Sequence, residues 1–242
     1  MKILKLLVPL VFLLLNGCAT QLPSFAHVHV GHTLSAWPGT PNQQGLFALS
    51  EELAVDVVET AIAASELSKQ GEFGAAAQAG GRIAAIIGSP DDQADSPDQI
   101  TFLSAFAQGV NHFRFSIESD DATSNLKQGL GDVVSKSPQI IARSNVIKDL
   151  ATLLSTLDDD QTIAEAIQQL RIMTVQNLEG GDGNYSLRDM RNDLAATLDR
   201  EDPPYVAPAR KFLFGLVRAP TGKWFWNFED ADGKNSYGRY GY

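Results

Sequence analysis

The sequence predicts a mainly α protein: a bundle of six to seven helices with a small β element made of an N-terminal strand and a C-terminal hairpin. Three observations carry this. Apolar residues recur at three- and four-residue spacing through most of 46–202, the period of a half-buried helix. Gly-, Pro- and Asp-rich breaks divide that stretch into helix-sized pieces. Beyond Asp202-Pro203-Pro204 the helical period gives way to short aromatic runs.

Taken in order, the mixed His/Pro/Gly/Thr segment 19–45 reads as a short strand followed by loop. Over 46–68, Leu46, Leu49, Leu53, Val57, Ala61 and Ala64 fall on one stripe, with Glu51, Glu52, Asp56, Glu59 and Glu66 mostly off it. An Ala/Gly-rich helix over 73–88 ends at Gly88-Ser89-Pro90, and 90–97 is a polar loop. The sharpest stripe is Leu103, Phe106, Val110, Phe113 and Ile117 in the helix 99–118. A shorter helix covers 122–135. Ser137-Pro138 then reads as an N-cap with proline at the first helical position, opening a helix through Ile140, Ile147, Leu150, Leu154 and Leu157. Asp158, Asp159 and Asp160 place negative charge at the free amides of the next helix, 160–178, which stops at Gly180-Gly181-Asp182-Gly183. A last helix runs over 186–200. In the tail, Lys211–Arg218 and Lys223–Phe228 flank Ala219-Pro220-Thr221-Gly222 as a hairpin, and Asp230–Tyr242 is Gly/Tyr-rich and irregular. The organisation is a leader (1–17), a His-rich strand and loop (18–45), the helical domain (46–202) and the tail (203–242).

Composition narrows the function. With 29 acidic against 19 basic residues, a formal charge of −10 argues against nucleic acid as a partner, because phosphate binding concentrates Lys and Arg. One cysteine excludes an internal disulfide framework, a multi-Cys zinc site and a Cys-ligated iron–sulfur cluster. No G-x-S-x-G, C-x-x-C-H, P-loop or dinucleotide fingerprint is present.

Lys2 and Lys5 precede the apolar run Leu6–Leu15, which is too short to span a bilayer, where roughly 20 residues are needed, but fits a signal-peptide core. The run closes on Leu15-Asn16-Gly17-Cys18, which resembles the lipobox of bacterial lipoproteins, although Asn16 is a less usual occupant of its place. The resemblance implies cleavage before Cys18, lipidation of that thiol and anchoring to a membrane by acyl chains. With Ala19 and Thr20 and no Asp after the cysteine, the same resemblance implies onward export to the outer membrane, facing the periplasm. The other reading of Cys18 is a buried free thiol.

The chemical lead is His27-Val28-His29-Val30-Gly31-His32, which holds three of the four histidines. On a strand, His27 and His29 share a face, and Gly31 permits a turn that swings His32 back toward them. Three neutral imidazoles suit copper or zinc. The bland alternative is an edge strand with a solvated His face. His112 is a candidate fourth ligand, in line with the small residues Ala105, Gly109 and Ser116, or else a boundary histidine. Met173 reads as core filling ahead of a soft copper ligand. Trp37-Pro38 either walls the metal or packs.

Asp91, Asp92, Asp95 and Asp98, and Asp230–Asn235 with its faint likeness to a calcium loop, read as solvated turns ahead of sites. Trp224, Phe225, Trp226 and Phe228 either close the core on one side or face lipid or a partner. His-x-His at a strand end also resembles the first metal motif of amidohydrolase barrels, but only His112 remains to supply the further ligands. The expected function is a lipid-anchored periplasmic protein binding copper, ahead of zinc, in metal handling or support of a redox partner. The alternative is a structural or adaptor lipoprotein using its helical body or aromatic tail. A metal-dependent enzyme ranks behind both, since no general base stands out.

Overall fold

The computed structural model describes residues 24–92, 99–181, 183–202 and 204–205, and the backbones of two short strands in the tail. Cys18 and the leader, Asp95, Asp98, Asp230–Asn235 and the tail's aromatic side chains lie outside the described residues.

The described chain is a helical bundle. Its helices are α1 (Phe25–Leu34), α2 (Leu46–Lys69), α3 (Phe73–Ile87), α4 (Phe102–Glu118), α5 (Ser124–Leu154), α6 (Asp160–Glu179) and α7 (Leu187–Asp199). The ends of α2, α3, α6 and α7 fall within a residue of those expected. Their caps are the reason. Asp159 accepts from the Thr162 hydroxyl at 2.6 Å and from its amide at 2.7 Å, and these two bonds, the hydroxyl's first, hold its carboxyl below the usual range. Ser186 and Asp189 form a reciprocal capping box on α7. Among the described residues no helix is long and apolar enough to cross a membrane.

α2 packs against α3, α4 and α6, and α5 against α3, α4, α6 and α7, so these two helices form the centre. The shared core includes Phe102, Phe106, Phe113, Leu126, Leu130, Ile140, Ile147, Leu154 and Ile167, all essentially inaccessible. The expected stripes of α2 and α4 line this core. Met173 is partly buried against it, as filling.

Two expectations are corrected. The N-terminal strand is a helix: 25–34 forms α1 of ten residues. Its start is secured by Ser24, whose hydroxyl accepts from the His27 amide at 3.1 Å, and by Asp121, whose carboxylate takes the amides of Phe25 (2.6 Å) and Ala26 (3.0 Å). Alternating Val and His satisfies a strand, but an acid 95 residues away completes a helix cap instead. The expected break at Pro138 is also absent, and α5 runs through it for 31 residues. Proline removes the amide that would bond the Val134 carbonyl, and the Ser137 hydroxyl donates to that carbonyl at 2.8 Å in its place.

With α1 helical, no N-terminal strand is present among the described residues for the tail to join. Leu216–Arg218 and Trp224–Trp226 run antiparallel and pair with each other.

A candidate metal centre between α1 and α4

The stripe of small residues on α4 seats α1. Ala105 is fully buried, and a Cβ at Gly109 would stand 3.2 Å from the Thr33 methyl, so glycine permits the approach. The Thr33 hydroxyl donates to the Gly109 carbonyl at 3.2 Å, and the Ser116 hydroxyl to the Ala26 carbonyl at 2.9 Å. These bonds fix α1 along α4 over two to three turns. His112 lies on the same stripe, between Gly109 and Ser116, and therefore faces α1.

Helical period then decides which histidines it meets. Residues three apart lie on neighbouring positions of one face, whereas residues two apart point about 200° apart. His29 and His32 accordingly converge on His112, with one ligand-capable atom from each within 4.8 Å of the others. His29 Nδ1 and His112 Nδ1 stand 3.2 Å apart. Ring centroids are separated by 5.5 Å (His29–His112), 4.9 Å (His32–His112) and 5.8 Å (His29–His32).

His27 is not in this group. It is buried on another face of α1, with Nε2 3.3 Å from Glu201 Oε1 and its ring 5.2 Å from that of Tyr205. The expected same-face pairing of His27 with His29 required a strand. His112, the least secure of the four by sequence, supplies the third imidazole.

Burial sets the protonation of the trio. It lowers His32 to about 3, with His112 and His29 repelling its charged form further, and lowers His112 to about 4, with repulsion from His29 added. Burial also lowers His29, partly opposed by the Asp121 carboxylate. All three rings are neutral at pH 7, the form that ligates a metal. His29 Nδ1 and His112 Nδ1 pair with each other, and His32 Nδ1 is buried with no partner among the described residues. An unpaired buried acceptor costs about 1–3 kcal/mol, and a cation relieves it.

The donor set fits a transition metal. Imidazole nitrogens about 2.0–2.1 Å from an ion stand roughly 3.3–3.6 Å from one another, so the 3.2 Å pair needs little adjustment and the widest separation closes by rotamer shifts. Among the described residues no carboxylate belongs to the cluster.

Aromatic rings flank it. Trp37 lies 4.8 Å from His32 and 4.7 Å from His112, and Phe115, half exposed, lies 5.5 Å from His29 and 5.8 Å from His112. Trp37 thus packs on two of the histidine rings. Phe115 gave no sequence signal, being one aromatic residue among several on α4. Glu201, in the charged run Asp199–Asp202, carries no sequence signal of its own, yet it is 5 % exposed. Among the described residues Asp91 and Asp92 belong to no metal-binding group: Asp92 takes the Ser89 amide (2.6 Å) and the Thr101 hydroxyl (3.2 Å), closing the loop before α4.

No protein-family model, curated protein or solved structure matches this chain.

Proposed function

We propose that this protein binds a single transition-metal ion, copper ahead of zinc, through His29, His32 and His112. Its role is metal handling or the support of a redox partner. The observation that carries the reading is the convergence of three neutral imidazoles with His32 Nδ1 buried and unpartnered. The lipobox-like Leu15-Asn16-Gly17-Cys18 supports the accompanying proposal that Cys18 is lipidated and holds the protein at the outer membrane, facing the periplasm. Acyl chains contribute about 0.8 kcal/mol per buried CH₂, so this anchoring needs neither a membrane-spanning helix nor a basic patch.

The test is titration of the full-length protein with copper and with zinc, alongside His27→Ala and the triple variant His29→Ala/His32→Ala/His112→Ala. One ion per chain is expected for wild type and for His27→Ala. The triple variant is expected to bind at least a hundredfold more weakly while keeping its far-UV circular dichroism. Equal, millimolar binding by all three proteins refutes the proposal.

A further inference from the structure

The flanking indole bears on which ion the three imidazoles accept. Trp37 touches two of the three rings, and its backbone is fixed from both sides. Its amide donates to the carbonyls of Gln43 (3.2 Å) and Gln44 (3.1 Å), and its carbonyl accepts from the Thr40 amide (3.2 Å) and hydroxyl (2.8 Å). Thr40 is itself buried. The segment is then returned against α1 by Gly45, where a Cβ would stand 2.5 Å from the Thr33 carbonyl oxygen.

This fold-back is conformationally expensive. Asn42 (φ 54°) and Gln43 (φ 55°) both occupy the left-handed region, and neither is glycine. Such residues cost of order 1–3 kcal/mol each and persist where surrounding contacts hold them, commonly at ligand clamps. The contacts that hold these two are the ones that fix Trp37.

We infer that Trp37 is a specificity-determining wall that makes the His29/His32/His112 site selective for copper(I) over zinc(II); this rests on the proposed metal binding by those three histidines. Zinc in a three-imidazole site keeps a fourth position for water, and its double charge is costly beside apolar rings. Copper(I) is a d¹⁰ ion with a single charge and is satisfied by three ligands. Two aromatic residues flank the trio, and the Asp121 carboxylate is engaged by the amides of Phe25 and Ala26. Among the described residues no carboxylate joins the cluster to give zinc a fourth oxygen ligand.

The experiment compares full-length wild type, Trp37→Ala, Trp37→Phe and His112→Ala. Copper(I) affinity is read anaerobically by competition with bicinchoninate, and zinc affinity by competition with a chromogenic chelator. Copper(I) is expected to bind wild type more tightly than zinc. The ratio of the two affinities is expected to fall at least tenfold in Trp37→Ala and to stay within threefold in Trp37→Phe. One equivalent of copper(I) is expected to quench about a third of the emission, since the chain has three tryptophans. A ratio unchanged in Trp37→Ala, or zinc bound as tightly as copper(I) by wild type, overturns the inference while leaving the histidine site standing. Loss of both metals in wild type, or retention of both in His112→Ala, removes the site itself and the inference with it.

Discussion

Replacing Glu201 with alanine separates a buried latch from a surface carboxylate. Its side chain is fully enclosed and accepts from Asn125 Nδ2 at 2.6 Å and the Thr123 hydroxyl at 2.7 Å, with His27 Nε2 at 3.3 Å. Truncation leaves these three groups unequal. Asn125 keeps the Thr197 carbonyl at 2.9 Å. The Thr123 hydroxyl still caps the Leu126 amide at 3.0 Å but has no acceptor for its own proton, and His27, 4 % exposed, has no polar partner left. Two orphaned buried groups at about 1–3 kcal/mol each give a loss of roughly 2–6 kcal/mol. For a chain of this size that is a fall in Tm of roughly 4–24 °C. The assay is urea and thermal unfolding followed at 222 nm, with Glu201→Gln as control. Glutamine keeps the volume and one acceptor oxygen, so its loss should be about half as large. If both variants lie within about 0.5 kcal/mol of wild type, the reasoning fails, because a carboxylate so placed cannot be removed without effect.

Stability should fall with acid. His32 and His112 stay neutral in the fold down to about 3 and about 4, whereas in the unfolded chain they take up protons near 6.5. The unfolded state therefore binds more protons, so stability is fully present above pH 6.5 and drains as pH falls toward 4. Two fully buried rings would lose about 4 kcal/mol by pH 5; retained solvent reduces this to roughly 2 kcal/mol. Urea midpoints at pH 7 and 5 check it, and His32→Gln/His112→Gln should flatten the profile. Gly80→Ala sets a Cβ 2.3 Å from the Ala151 carbonyl oxygen, where α3 crosses α5, and should cost about 1–3 kcal/mol in urea unfolding. Ser137→Ala strips the Val134 carbonyl of its substitute donor at the proline and should cost about 1 kcal/mol by the same measurement.

Most of the bundle was legible because its helices carry their own signals. The stripe Leu103, Phe106, Val110, Phe113 is the buried face of α4, and Asp159 and Ser186 are caps readable from local sequence. What was not legible depended on residues far along the chain. Val28 and Val30 suit either a strand facing a core or a helix buried almost all round, and both are buried in α1. The choice is made by Asp121 and by the small residues of α4, which no local period reveals. The error at Pro138 has the same origin on a smaller scale: proline's preference for a first turn is outweighed when a neighbouring hydroxyl serves the carbonyl it abandons. For the site, the clustering of histidines was visible, but its membership followed from the period. A spacing of three between His29 and His32 already fits a helix face. The alternation that suggested a strand put His27 in the place that His112 takes.

The contact between His27 and Glu201 spans 174 positions, so it joins the first helix of the bundle to the residue that ends its last turn. The described chain is thereby closed into a noncovalent ring. Terminal segments ordinarily fray independently and exchange their amides with solvent first. Here neither end can peel away without opening the other's buried contact, so amides near His27 and near Glu201 should share one opening free energy. In hydrogen exchange, α1 and the end of α7 would then behave as a single cooperative unit, although no sequence neighbour connects them.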